Sequence, residues 1–407
     1  MRIFIGLHEI ADINNSLSKG FRELGNETRS VIIDHNRFYP IENYDKVINN
    51  SGARVGPQGK WRNLLQRISC QWFLVKELFC VLKNYDMVVF IYASSFLPGF
   101  IDLPILKLAN KRIVSIFCGS DIRYWYAYKM EMEAHGVGKE YKAFTEELKI
   151  RPNRKRYAEQ ARKVRIIEKY ADLILSQPDM AQLQSRPYMR LNIPLDMSRF
   201  EPSQPQREIP RIIHIPSNRG IKGTSIIIEA VSQLKREGVQ FHFEMFENIP
   251  HDQVLFQLQK ADIVIDQLLS HTVATFALES LASGKVVLAR YRQAYSQVPA
   301  ECPVVNIDQY TLVQELRRVI QDQDLRNKLA SMGPDYVDKY HNHIAVANDI
   351  LICCCTPNFD QYDFYPISAF TKKDLPRSIK VNERIALWAS IIHKVLDFLC
   401  PGVSRSK

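Results

Sequence analysis

Apolar positions along this chain fall in short β-branched runs, separated by longer stretches with helical spacing. That alternation is the pattern of parallel α/β units. Arg2–Gly6 reads as a strand, Leu17–Leu24 as the helix behind it, and Ser30–Ile33 as a second strand closed by Asp34. Met87–Tyr92 is an apolar strand, Ile101–Ala109 a helix, and Arg112–Phe117 a strand running into Cys118-Gly119-Ser120-Asp121. Polar, helix-spaced sequence fills Tyr124–Tyr170, and Ala171–Ser176 reads as the last strand of this unit. The alternation restarts with strand Arg211–Ile215, helix Ser225–Lys235, strand Phe241–Phe246, helix Gln253–Gln259 and strand Ile263–Ile265. Helix Thr275–Ala282, strand Val286–Ala289 and helix Leu312–Ile320 complete it.

Between the two alternations, Pro194, Pro202, Pro205 and Pro210 lie within 17 residues, which marks a linker. The expected organisation is an α/β domain over 1–200, a second over 201–355, and a tail over 356–407. Two doubly wound domains joined this way place a ligand cleft between them, at the carboxyl ends of the strands. In the tail, Val381, Ile385, Trp388, Ile392, Val395 and Leu399 recur at helical steps, with Lys380, Arg384 and Lys394 among the polar positions. Such an amphipathic helix packs on the body or lies on a membrane surface. There is no internal repeat.

Composition narrows the classes. With 407 residues, 46% of them hydrophobic, the chain buries sizeable cores and is not a disordered protein. The uncharged run Met87–Ile101 is too short for a membrane span and is broken by Pro98 and Gly99. The start, MRIFIGLHEIA, has one cation, an apolar run interrupted by His8 and Glu9, and no cleavage site. It reads as a core strand of a cytoplasmic protein. The net charge of +10 suits phosphate-bearing ligands, nucleic acid or an anionic membrane, without choosing among them. Lys149–Lys169 carries nine Lys/Arg against two Glu: a solvated helix, or a face towards membrane phosphates or a lipid-diphosphate acceptor. No stacking motif or zinc spacing supports nucleic acid as the partner.

No cysteine sits in a CxxC pair, so zinc is not expected, and Cys353–Cys355 reads as a buried, reduced helix end. His341-Asn342-His343 has the spacing of two ligands on a strand. It follows a helical run and lacks a third ligand, so no metal site is expected there.

The common nucleotide fingerprints are missing. Gly136-Val137-Gly138 lies in polar sequence rather than at a strand-to-helix turn, and no G-x-x-x-x-G-K-[ST] occurs. Dehydrogenase and P-loop readings lose their support. More informative is Ile213–Thr224, where a strand ends, Asn218 follows, Arg219 and Lys222 stand three apart, and Gly223 precedes a helix. Two cations facing a cleft clamp a diphosphate; the alternative is exposed loop cations. A second stretch, Ala261–Val287, carries His271, Thr275 and Glu279. Glu279 falls one turn into a helix whose N-terminal amides suit a phosphate, and a carboxylate there accepts hydrogen bonds from a ribose diol or is simply a helix-face charge.

In this order and spacing, the two stretches resemble the donor-binding domain of GT-B glycosyltransferases, specifically the retaining group called family 4. The resemblance covers roughly residues 1–350. It includes MRIFIGLHEIA, Val88–Ala109, Phe117–Arg123, Ala171–Ile174 and Asn192–Asp196. It implies two Rossmann-like domains facing a central cleft, and transfer of a sugar from a nucleotide-diphosphate donor with retention and no required metal or other cofactor. Asn218, Arg219, Lys222, Gly223, His271, Thr275 and Glu279 would bind the donor, with Arg219 and Lys222 stabilising the leaving diphosphate. Cys118, Gly119, Ser120 and Asp121 would lie on the acceptor side, and Arg219, Lys222, His271 and Asp121 would be the catalytic set. The implied acceptor is a glycan or a lipid-linked sugar in glycan, glycolipid or polysaccharide synthesis, with peripheral contact to an anionic membrane.

The sequence departs from that family at three places. His271 stands where the family has its first glutamate, Thr272, Val273 and Ala274 replace the glycines after it, and Cys118 replaces a histidine. Added Cβ atoms crowd a diphosphate. His271 taking over hydrogen bonding to the sugar brings a pH dependence near neutrality. An altered donor and a weakened enzyme are the other readings. A non-catalytic nucleotide- or sugar-binding scaffold and a nucleotide-sugar epimerase are the alternatives on the same fold.

Overall fold

Strands apolar on both faces need cover on both sides, and the chain supplies it twice. The computed structural model describes residues 1–35, 38–49, 60–134, 153–205, 207–296, 298–357, 362–363, 370 and 373–375. The first sheet uses β1 (Arg2–Leu7), β2 (Glu27–Asp34), β3 (Lys46–Asn49), β4 (Met87–Ile91), β5 (Arg112–Ile116), β6 (Leu173–Ser176) and β7 (Tyr188–Arg190). The second uses β8 (Arg211–His214), β9 (His242–Met245), β10 (Ile263–Ile265), β11 (Val286–Ala289) and β12 (Val305–Asn306). A final strand, β13 (Tyr362–Asp363), returns to the first sheet and pairs antiparallel with β7.

Strand order in the first sheet is β13-β7-β6-β5-β4-β1-β2-β3, and in the second β12-β11-β10-β8-β9. In each the order reverses once, between β1 and β4 and between β8 and β10. Such switch points open crevices at the strands' carboxyl ends. The helices of the first unit are α1 (Ile13–Glu23), α2 (Lys60–Asn84), α3 (Asp102–Leu108), α4 (Trp125–Ala134) and α5 (Arg154–Tyr170). Those that follow are α6 (Arg219–Lys222), α7 (Thr224–Arg236), α8 (His251–Lys260), α9 (Thr275–Ala282), α10 (Gln293–Ser296), α11 (Leu312–Gln321), α12 (Gln323–His341) and α13 (His343–Cys355).

The structure differs from the sequence expectation at several places. Ala171–Ser176 is not the last strand of its sheet, because β7 and β13 extend the edge. Both are only two or three residues long and carry no alternating pattern to find. Helix α13, which a division at 355 assigns to the second unit, packs on the first: Val346, Ala347, Ile350 and Cys353 share a core with Ile3, Ile5, Leu17 and Phe21. The chain thus crosses back at His341-Asn342-His343. That triplet lies at a helix junction, where His341 Nδ1 donates to Ile193 O at 3.0 Å and His343 Nδ1 to Leu195 O at 3.2 Å. Burial lowers His341 to about 4, so it stays neutral as a donor to the linker.

The cysteine triplet ends α13 but is not uniformly buried. Successive helical residues point to different faces, so Cys353 is buried, Cys354 intermediate and Cys355 exposed. Native thiol alkylation followed by peptide mapping is expected to modify Cys355 and leave Cys353 intact until the protein is unfolded. Helix α5 is amphipathic: Ala161, Val164 and Ile167 are buried, while Lys155, Arg156, Lys163 and Lys169 are exposed. The 381–399 helix and Gly136–Gly138 lie outside the described residues. Among the described residues, no helix is long and apolar enough to cross a membrane.

Candidate functional site

At the end of β8 the chain turns through Asn218, whose side-chain oxygen accepts from the Ile221 amide at 3.2 Å and starts α6. Gly223 joins α6 to α7 at φ +69°, and a Cβ there would come within 2.8 Å of Leu268 Cβ. Only glycine meets both conditions. The two cations of this turn do not present as a pair. Lys222 is buried and donates to the Asp266 carboxylate and, at 3.3 Å, to Gln267 Oε1. Arg219 has 55% of its side chain exposed and forks onto Glu247 at 2.7 and 2.5 Å. An exposed ion pair of this kind is weak and exchanges partners readily, whereas a buried one is costly to break. Of the two cations expected to clamp a diphosphate, Arg219 is exposed in an ion pair with Glu247 and Lys222 is buried in one with Asp266.

His214 fixes the floor. Its Nδ1 donates to Ile265 O at 2.8 Å and its Nε2 accepts from Thr224 Oγ1 at 2.9 Å, with burial lowering its pKa. This ties β8, β10 and the start of α7 into one platform.

After β10 the chain reaches His271, which is fully buried and stacks on Tyr295 at 4.7 Å. The ring of Tyr128, from α4, lies tilted at 5.5 Å. Thr275 opens α9, and Ala274 before it provides no side-chain cap. Glu279, one turn in, is buried and accepts from His251 Nε2 at 2.8 Å. Arg199 donates to His251 Nδ1 at 3.0 Å and to Asp12 Oδ2 at 2.8 Å. With Arg199 donating to Nδ1, the His251 proton sits on Nε2. A continuous polar chain therefore runs from Asp12, at the start of α1 in the first unit, through Arg199 in the linker and His251, to Glu279 on α9 of the second. Glu279 is not a free helix-face charge.

Sequence reasoning missed Asp12, Arg199 and His251. Arg199 lies three residues past the Asn192–Asp196 stretch that was singled out, but nothing in a single sequence says which carboxylate and imidazole it will join.

Beside Asp12, Glu9 is buried and accepts from the Tyr44 hydroxyl at 3.1 Å and the Asn15 amide at 3.3 Å. Burial first, then the charge of Asp12, pushes its carboxyl from 4.5 up to about 8. A carboxyl with a raised folded-state pKa binds its proton more tightly folded than unfolded. Its stability contribution is complete below about 4.5 and is lost as pH rises through about 8. Glu9→Gln, a neutral isostere, is expected to raise the melting temperature at about pH 8.5 and leave it nearly unchanged at about pH 5. Equal shifts at both values would contradict this.

On the first sheet, Asp121 accepts from the Cys118 amide at 3.1 Å and the Gly119 amide at 2.8 Å. Its carboxyl is pushed up to about 6, chiefly by burial. Asp121 thus holds the turn in which Gly119 sits at φ +135°, and its carboxylate is already occupied by its own loop. Ser120 is exposed and shares a 2.8 Å hydrogen bond with the Tyr92 hydroxyl. Burial, then Asp121, drives the Cys118 thiol well above its ordinary range, so it is no nucleophile at neutral pH. Helix α4 follows directly and spans to the second unit, where Tyr128 and Met132 join a core with Ile212, Leu268 and Leu269. Arg123 lies over the Tyr128 ring at 4.8 Å and pairs with Asp179 at 3.1 Å. The 118–121 loop and His271 are thereby connected through one helix. Among the described residues, no group of three or more His, Cys, Asp or Glu side chains converges as a metal site.

No protein-family profile matches the chain, and no curated protein matches it by sequence. Solved structures do. A sucrose-phosphate synthase from Thermosynechococcus elongatus is similar over 86% of this chain and 96% of its own, at 12% identity and TM-score 0.56. HepE from Anabaena, in complex with UDP and glucose, is similar over 87% of this chain and 99% of its own, at 11% identity and TM-score 0.53. WaaG, a glycosyltransferase involved in lipopolysaccharide biosynthesis, is similar over 88% and 100%, at 14% identity and TM-score 0.51.

The chain has the GT-B fold. Arg219 and Lys222 follow the carboxyl end of β8, His271 and Glu279 that of β10, and Cys118–Asp121 that of β5.

Proposed function

We propose that this GT-B chain transfers a sugar, with retention, from a nucleoside-diphosphate sugar to a glycan or lipid-linked acceptor. The observation that carries the reading is the set of charged residues in the segments that follow the carboxyl ends of β8 and β10. Arg219 is exposed, Lys222 is buried against Asp266, and Glu279, on α9, is held by His251. The UDP and glucose held by the structurally similar HepE support a nucleotide-sugar donor, and WaaG's part in lipopolysaccharide biosynthesis supports a glycan or glycolipid product.

Each residue then has a role. Arg219 releases Glu247 and forks onto the diphosphate, meeting the charge that grows as the sugar leaves. Lys222 adds positive potential from below while remaining tied to Asp266. Asn218 and Gly223 shape the turn that brings backbone amides towards the phosphates, and Thr275 with the uncapped start of α9 adds further donors. Glu279, held by His251 and Arg199, accepts from the ribose hydroxyls. His271 lines the sugar position once α4 draws Tyr128 away, and Cys118–Asp121 form the acceptor wall. Because side chains and amides supply the charge, the reaction needs no metal.

Closure of the two units on the donor excludes water and limits hydrolysis. Incubation with UDP-, GDP- and ADP-sugars should release nucleoside diphosphate only when acceptor is added, and proton NMR of the product should show the donor's anomeric configuration. Inverted product would remove retention; no release with any donor and a crude glycolipid acceptor would sink the transferase reading.

We place the protein in the cytoplasm, at the membrane surface: the exposed cations of α5 support contact with anionic lipid. Flotation with anionic liposomes tests this, and protein left at the bottom of the gradient counts against it.

A further inference from the structure

A cavity of about 260 Å³ lies beside the site, walled by both units and by α13. From the first sheet come Gln177, just past β6, and Arg190, at the end of β7, followed by Asn192 in the linker. From the second unit come Thr272 and Val298, with Tyr336 of α12, and Asp349 enters from α13. Thr272 directly follows His271, so the cavity begins one residue from the loop that lines the sugar position.

Several of its polar groups keep hydrogen-bonding capacity, although Arg190 Nε is already ion-paired with Asp363. No described group hydrogen-bonds the half-buried Asp349 carboxylate, and burial alone raises its pKa. The Arg190–Asp363 pair spans 3.5 Å, and the buried Nε has no hydrogen-bond partner. Gln177 Nε2 donates to Leu191 O at 3.2 Å, which leaves its carbonyl oxygen, and the Asn192 side chain is exposed. Met189, Val273 and Pro299 supply apolar wall, beside Ser296, Tyr340 and His341.

We propose that this cavity is a subsite for one neutral sugar ring of the acceptor. A carboxylate, a guanidinium and two amides around an apolar floor match a ring that carries hydroxyls on its edge and C–H groups on its face. Hydroxyls donate to Asp349 and accept from Arg190 and Asn192, and the C–H face packs on Val298 and Pro299. A phosphate would be repelled by Asp349, and an apolar ligand would bury Asp349 and Arg190 without partners, which is unfavourable. The volume admits a single ring, since pockets for larger ligands run from about 300 Å³ upwards. This assignment deepens the transferase reading and rests on it: the acceptor is a saccharide, seated where both units touch it.

The test is saturation-transfer NMR on the full chain with D-glucose, D-galactose, D-mannose, N-acetyl-D-glucosamine and inorganic phosphate, without donor. At least one hexose should show transfer and phosphate should not compete. Asp349→Asn should weaken that hexose roughly tenfold or more, as expected for loss of a charge-assisted hydrogen bond. Asn192→Ala, at an exposed position, should weaken it less and guards against a folding defect in the first variant. No hexose signal, displacement by phosphate, or a signal undiminished in both variants overturns the subsite. Donor-induced thermal stabilisation is read separately. If it persists without hexose binding, only the subsite falls; if it is absent while a hexose binds, the transferase reading falls.

Discussion

Arg219→Ala is expected to lower kcat/KM for transfer by about 10²–10³, the range seen when one group facing developing transition-state charge is removed. Among the two cations of the β8 turn, Arg219 stands in solvent with an exchangeable partner, Glu247, while Lys222 is enclosed. Arg219 can therefore turn to a diphosphate without leaving a buried charge unpaired. Because that pair is exposed, removing Arg219 should leave the melting temperature almost unchanged. Arg219→Lys should recover only part of the rate, since an ammonium cannot fork onto two phosphate oxygens. Steady-state kinetics with thermal melts decide it: a large loss of stability, or a rate within twofold of wild type, would refute the assignment.

Lys222→Met should behave in the opposite way. It strands Asp266, which is buried at the end of β10 and whose Oδ2 already lacks a partner. Removing one member of a buried ion pair destabilises by about 3–5 kcal/mol, because the other charge is left without compensation. Asp266→Asn added to Lys222→Met should recover much of that stability, because it removes the stranded charge. Activity should stay low in the double variant if Lys222 also contributes positive potential to the diphosphate. Chemical denaturation measures the first effect and kinetics the second. Equal stabilities for wild type and the single variant would contradict the buried pair.

Much of this architecture is legible in the sequence because strands covered on both faces read as uninterrupted apolar runs. Met87–Ile91 and Val286–Ala289 are buried throughout, and both stand out without any structure. The short edge strands Tyr188–Arg190 and Tyr362–Asp363 have no such signal, and their pairing is set by the return of the chain rather than by their own pattern. The return helix His343–Cys355 is helical in pattern, but sequence spacing cannot say which sheet it will cover.

The site shows the same division. Arg219, Lys222 and Glu279 stand out as candidates from residue type and offset, since both helix starts follow strand ends. Their charge state is not. Whether a lysine three residues after an arginine is free or neutralised depends on Asp266, 44 residues on. The Asp12–Arg199–His251–Glu279 chain joins four segments that only the two-sheet arrangement brings together. By resemblance, His271 stands where the family has a sugar-contacting glutamate, which leaves a sugar contact, an altered donor and a weakened enzyme as its readings. The structure buries it against the rings of Tyr128 and Tyr295, neighbours that no offset in the sequence announces.

The central claim is that the carboxyl ends of β8, β9 and β10 hold a nucleoside-diphosphate sugar. The most direct measurement is thermal stabilisation of the full chain with UDP-, GDP- and ADP-sugars beside CMP-sugars, which carry one phosphate. The account predicts that one diphosphate sugar raises the melting temperature in a saturable way, that CMP-sugars do not, and that Arg219→Ala abolishes the effect. Stabilisation by none of them, or equally by CMP-sugars and by the Arg219→Ala variant, would contradict it.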